Sequence, residues 1–355
     1  MSLTGHLTTT ESLVGNCIKH VLFPNTKEVL KRVRQEPASH VFIEPPAKPY
    51  PYMLAGTAFD YRLRFCLERT PLDSLAAYRA SRILDGTGGT ITTRMPDGTW
   101  SSGPVQSPEF VNRFWASLQL FLDTARPERR KLDEEDDRRL AQYCLVLAKF
   151  EAFFRSGVVD QILENTRFRK VEHLLALMPE PVVDDLCRLA RGFHDHGLPY
   201  FGPDKRLALN PTFTGSEDVG GADADLIVGT CLVDIKTTID PAMKGAYLHQ
   251  LLGYVLLDYE DAHAIDEVAV FSARYCRFHR WPLDALVREM SGNPEMTVAK
   301  ARKMLRTAIA AEAMRQGETG RPAREGPSKP VSEPRQPTSV LRRLWDIVSG
   351  WFRLA

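Results

Sequence analysis

The chain lacks an excess of charge of either sign: 46 lysines and arginines stand against 45 aspartates and glutamates, a balance of +1. No global field draws it to a polyanion, so any contact with nucleic acid has to come from local patches. It also lacks an apolar run long enough to cross a bilayer, and no stretch reads as a signal peptide. The expectation is a cytoplasmic protein with no transmembrane segment. Cysteine is sparse and dispersed, at Cys17, Cys66, Cys144, Cys187, Cys231 and Cys276, with no C-x-x-C pair. That spacing argues against zinc and iron–sulfur sites and fits a reducing compartment. There is no phosphate-binding loop of the Walker type, so any motor activity has to come from a separate partner.

Apolar residues are not lacking. At 43% of 355 residues they are ample for one large domain with an insertion, or for two domains. The most informative stretch is GGADADLIVGTCLVDIKTT, from Gly220 to Thr238. Two β-branched runs flank Gly229-Thr230, which is a hairpin signal. A two-residue loop sets Val228 opposite Cys231, Ile227 opposite Leu232, Leu226 opposite Val233, and Asp225 opposite Asp234. Directly opposed side chains lie about 5 Å apart on one face. Two carboxylates therefore meet on a largely apolar hairpin, and Lys236 shares the face of Asp234 while Asp223 shares that of Asp225. Like charges in such a place need a cation. Mg2+ or Mn2+ is bound by one or two carboxylates and keeps room for water and a phosphate. A neighbouring lysine can stabilise developing negative charge or hold an attacking water. The plain alternative is an Asp–Lys salt bridge on a sheet face. No other Asp-x-Lys or Glu-x-Lys triplet occurs in the chain.

Asp240-Pro241 reads as the N-cap and first residue of the next helix, which runs through KGAYLHQLLGYVLLDY and places Gln250 and Tyr254 on one face. Asp225, the Asp234-Ile235-Lys236 triplet and the following Gln-x-x-x-Tyr resemble the PD-(D/E)XK nuclease superfamily, in its RecB-like exonuclease branch but without that branch's iron–sulfur cysteine cluster. The resemblance implies an α/β fold: a restriction-endonuclease-like mixed sheet of αβββαβ order with a large helical insertion. It implies a metal held by Asp225, Asp234 and the Ile235 carbonyl, with Gln250 and Tyr254 fixing Lys236 or the phosphate. Asp223 is the alternative to Asp225 as ligand, or a group that tunes Lys236. The branch often carries Gly-x-x-x-His on an early helix. Here Gly56-Thr57-Ala58-Phe59-Asp60 puts an aspartate in the histidine position, so Asp60 is a candidate metal ligand or an ion-pair partner of Arg62 or Arg64.

In chain order, residues 1–105 read as N-terminal helices and the first part of the core, with helices over Leu13–Val33 broken at Phe23-Pro24-Asn25, from Tyr52, and over Pro71–Leu84. Gly86–Trp100 reads as a hairpin or loop with a Pro96-Asp97-Gly98 turn. Residues 106–200 are almost wholly helical and resemble the family's insertion. Within them Asp133–Asp137 reads as a solvated first turn, and His194 and His196 as surface residues. Residues 201–315 hold the catalytic core, with strands over Leu207–Phe213, the hairpin, EVAVFSA and YCRFHRW, then helices. On the last strand Arg274, Arg277, His279 and Arg280 alternate with aromatics, as suits a nucleic-acid groove, or a solvated edge strand. Residues 316–338 read as a disordered linker and 339–355 as an amphipathic helix that docks on the domain or on a protein partner, in preference to lying on a membrane surface.

The expected function is hydrolysis of phosphodiester bonds in nucleic acid, DNA first, by a Mg2+-dependent nuclease. The alternatives are a non-catalytic nucleic-acid-binding or scaffolding protein on the same fold, and an enzyme acting on RNA or a small phosphodiester.

Overall fold

A computed structural model describes residues 1–319 apart from 38, 47, 49, 90, 91, 95–99, 203 and 204. The Pro96-Asp97-Gly98 turn, the 339–355 helix and the linker beyond Thr319 lie outside the described residues. Two compact units are present. Among the described residues, one comprises Met1–Pro45 and Arg188–Thr319, and the other is Pro46–Cys187.

The first unit opens with α1 (Leu3–Thr8), capped by the Ser2 side chain, and α2 (Leu13–Asn16). A π-helical stretch, Cys17–Leu22, leads to α3 (Thr26–Arg34). The break between them falls at Phe23-Pro24-Asn25, where proline cannot donate to a helical ladder.

The second unit is helical. It holds α4 (Tyr52–Leu67), α5 (Ala76–Leu84), a two-stranded antiparallel ribbon of β1 (Thr92–Arg94) and β2 (Trp100–Ser102), then α6 (Pro108–Ala125), α7 (Glu134–Ser156), α8 (Gln161–Asn165) and α9 (Val171–Leu175). The chain returns to the first unit within α10 (Glu180–Gly192). Phe114 is the hub of the aromatic core, edge-on to Trp115, Tyr143 and Phe150. The acidic run is only partly solvated. Asp133 caps α7, but Asp137 is buried and takes a hydrogen bond from the buried Arg62 at 2.8 Å.

The remainder of the first unit builds the sheet. Its strands are β3 (Leu207–Leu209), β4 (Leu226–Val228), β5 (Cys231–Lys236), β6 (Glu267–Ser272) and β7 (Arg277–Pro282), in the order β3-β4-β5-β6-β7. All neighbours are antiparallel except β5 and β6. That parallel pair needs a crossover, and α11 (Gly245–Leu257) supplies it. The architecture is mixed α/β, as expected. The hairpin register also matches: Leu226 pairs with Val233, Ile227 with Leu232 and Val228 with Cys231. Gly229, at φ +62°, takes the left-handed turn position that glycine occupies without strain.

Alternation along the strands gives the sheet two different faces. Ile227, Leu232, Val268 and Val270 pack with Leu248, Leu251 and Val255 of α11 in the unit's main core. α12 (Leu283–Ser291) and α13 (Val298–Thr319) add Leu286, Met290 and Leu305 to it. Phe271 and Phe278 on the opposite face stack on each other and against Phe193 and Phe201. The helix expected from Asp240-Pro241 starts only at Gly245. The Asp240 side chain accepts from the Ala242 N–H and pairs with Lys244, and Lys244 itself is extended at φ −104°, ψ 140°. A local turn thus outcompetes the first helical turn.

Candidate active site

The site grows from the Asp234-Ile235-Lys236 triplet at the end of β5. Side-chain alternation places Asp234 and Lys236 on the α11 face, and apolar Leu232 and Val270 beside them exclude water. Asp234 is 2% exposed. Lys236 Nζ donates to Asp234 Oδ1 at 3.0 Å and lies 2.7 Å from Oδ2. Oδ2 nevertheless receives no hydrogen bond of acceptable angle and is buried. Burial lifts the Asp234 carboxyl above the usual carboxylate range, against the pull of Lys236. Burial also opposes charge on Lys236, but Asp234 and then Asp225 more than offset it and hold the ammonium firmly protonated.

Across the hairpin, Asp225 is half-buried. Its Oδ2 accepts from the Ile235 backbone N–H at 2.6 Å, and its carbonyl accepts from the Asn210 N–H. The first carboxylate is thereby fixed to the backbone of the strand that bears the second. Asp223 is exposed, one bridge further out, paired with Thr212. Of the two acids, Asp225 is the one built into the site.

Helix α11 supplies the rest. Gln250 Oε1 accepts from Lys236 Nζ at 3.2 Å, and its Nε2 donates to the Tyr254 hydroxyl at 2.8 Å. Lysine has only donors, so the amide must present its oxygen to Lys236 and its nitrogen to Tyr254. Burial, followed by Asp225 and Asp234, pushes the Tyr254 phenol far up and keeps it neutral. Asp225, Asp234, Lys236, Gln250 and Tyr254 are thus brought together within the first unit, with the Ile235 main chain between the acids.

Asp60 belongs to the second unit, on α4, and is ion-paired with Arg64 one turn on. That is the Arg64 partner of the ion-pair alternative, four residues on along the same helical face. Arg274 corrects the groove expectation outright. It is 0% exposed, on a single helical turn before β7, with Nε donating to the Thr237 carbonyl at 2.8 Å. Arg277 and His279 both face Glu36, at 2.6 and 3.1 Å, and Arg280 pairs with Glu267. The charges of Arg277 and Arg280 are met by acids of the same unit, and His279 is buried rather than facing solvent.

Two residues at the site were not named from the sequence. Lys236 Nζ lies 5.0 Å from the centre of the Tyr247 ring, a cation–π distance. Tyr247, Gln250 and Tyr254 recur at i, i+3 and i+7, so helical spacing held that signal. Thr4 Oγ1 of α1 lies 3.5 Å from Gln250 Nε2, and nothing in the sequence links residues so far apart.

Among the described residues no group of three or more His, Cys, Asp or Glu side chains could hold a metal. Two carboxylates suffice for Mg2+, which keeps most of its waters. The buried Asp234 Oδ2 has the Lys236 ammonium at 2.7 Å but no hydrogen bond of its own, so it can still accept a cation. The donor set is all oxygen, and it fits a hard divalent ion. No protein-family model, curated protein or solved structure matches the chain.

Proposed function

We propose that the protein is a divalent-metal-dependent nuclease with a PD-(D/E)XK-type core of the RecB-like kind, hydrolysing phosphodiester bonds in nucleic acid, DNA first. One observation carries the reading. A buried acid, a lysine, a glutamine and a tyrosine from two elements form a single hydrogen-bonded chain, and a second acid is tied to the same strand. A salt bridge needs only the first two members. Asp225 and Asp234 would hold Mg2+ or Mn2+, which when bound activates water and neutralises phosphate charge.

The chain's own residues do the remainder. Lys236 has three N–H donors and hydrogen bonds to two acceptors, leaving one for a phosphate oxygen or the attacking water. Gln250 holds the ammonium at a fixed point, and Tyr254 holds Gln250. The apolar walls of the sheet and α11 keep the dielectric low, which strengthens each of these contacts.

The test is cleavage of single- and double-stranded DNA, RNA and a dinucleotide in Mg2+, Mn2+ and Ca2+. The expected result is cutting of a polynucleotide in Mg2+ or Mn2+, lost in Asp225→Ala and in Asp234→Ala. Binding of nucleic acid without cutting in any metal would instead favour the scaffolding alternative. Cutting of the dinucleotide alone would favour a small-phosphodiester enzyme.

A further inference from the structure

We infer that Tyr247 is a positioning residue for the proposed reaction: its ring holds the Lys236 ammonium in place without consuming a donor that the substrate needs. The inference rests on the nuclease reading above. Lys236 Nζ lies over the ring, 5.0 Å from its centre, inside the roughly 6 Å at which a cation is attracted to an aromatic face.

The ring is itself fixed. Tyr247 stands in the first turn of α11, where its N–H donates to the Lys244 carbonyl at 3.0 Å. It is half-buried and packs on the main core. The helical period puts it on the face that carries Gln250 and Tyr254. One rigid element therefore presents both the amide and the ring to Lys236.

The lysine needs such a restraint. It carries its ammonium on a flexible stem. Asp234 Oδ1 takes one of its N–H donors at 3.0 Å, and Gln250 Oε1 takes another at 3.2 Å. A further carbonyl or carboxylate beside Nζ would take the remaining donor. An aromatic face attracts the cation through its quadrupole instead, without a lone pair to which one N–H is bound. The ring thus restrains the ammonium and leaves the last N–H for a phosphate oxygen or the attacking water. The Lys236 side chain is 20% exposed, so little water competes with the ring for its charge. Packing alone gives no reason for an aromatic here. A leucine would fill much of the same half-buried space but would not attract the ammonium.

The test is single-turnover cleavage, in Mg2+, of the polynucleotide, DNA or RNA, that the wild-type chain cuts, beside a binding titration in Ca2+ at the same salt concentration. Tyr247→Leu is expected to slow cleavage about 5- to 30-fold. Binding, carried by many phosphate contacts, should stay within about 2-fold. Tyr247→Phe and Tyr247→Trp keep a π-face and should restore the rate lost in Tyr247→Leu. The decisive series places phenylalanine with one, two and three ring fluorines at position 247. Fluorine drains negative charge from the face and barely changes its size, so the logarithm of the rate should fall stepwise along the series. Combined with Lys236→Ala, Tyr247→Leu should add nothing, because both act through one ammonium. A flat fluorine series, wild-type cleavage by Tyr247→Leu, or its full loss added on top of Lys236→Ala would overturn the role of Tyr247. Cleavage that Asp234→Ala abolishes would leave the nuclease reading intact in each of those cases. Failure of the wild-type chain to cut any polynucleotide would overturn both.

Discussion

His249 precedes Gln250 on α11, and its Nε2 lies 2.8 Å from Thr26 Oγ1. Burial, then the charges of Lys19 and His20, depress its pKa from 6.5 to about 4. Between those values the unfolded chain binds a proton that the folded chain refuses, so folding stability falls as pH drops from 6.5 towards 4. The urea midpoint should decline over that range more steeply in wild type than in His249→Gln; parallel declines would show that His249 titrates normally. The reach of the sequence at this scale was uneven. Asp225, Asp234, Lys236, Gln250 and Tyr254 were legible because strand and helix periods put them on shared faces. Arg274 was misread because a basic residue among aromatics looks the same whether it faces water or braces a core. Cys276, left-handed at φ 48°, separates the Arg274 turn from β7, and no periodicity announces such a turn.

Helix α1 shows what a short element can contribute. Its six residues are too few for a periodic signal, and sequence reading passed over it. In the structure the Leu3 N–H donates to the Gly221 carbonyl, and the Leu3 side chain is 1% exposed in the main core. A Cβ on Gly253 of α11 would come within 2.9 Å of Leu3, so the contact depends on that glycine. Leu3→Ala should lower stability by about 2–5 kcal/mol, measured by denaturant unfolding. Because Thr4 touches Gln250 on the same helix, cleavage should fall with it, even at temperatures where the variant is folded. A loss of stability under 1 kcal/mol would detach α1 from the core. The hairpin, by contrast, was readable to the residue, since a two-residue loop and a period of two leave one register that buries its apolar side chains. The start of α11 was not, because Asp-Pro before a helix can cap it or form a turn ahead of it.

At the scale of the whole chain, the two units have separate cores, one built on a five-stranded sheet and one on aromatic helices. Multi-unit chains commonly depart from two-state unfolding, and calorimetry should resolve two transitions. All the carboxylates assembled at the site belong to the first unit, whereas Asp60 belongs to the second. Mg2+ at about 100 times its Kd should stabilise the first unit by about 2.7 kcal/mol and leave the other transition in place. A shift of both transitions that Asp60→Ala abolishes would make Asp60 a ligand. The sequence showed the helical block from its composition, but not that the compact unit begins at Pro46, because contact between distant segments leaves no local pattern.

The central claim is that Lys236 acts on substrate rather than merely neutralising Asp234, and single-turnover cleavage beside a binding titration tests it most directly. A salt bridge needs only a cation, so Lys236→Arg would keep a purely structural lysine's role. Arginine's planar fork does not place one donor at one point, and loss of a well-aimed donor costs on the order of 100- to 1000-fold in rate. The account predicts that Lys236→Arg and Lys236→Ala both bind nucleic acid in Ca2+ within a few-fold of wild type and both lose cleavage in Mg2+ by about that factor. Normal cleavage by Lys236→Ala would contradict it.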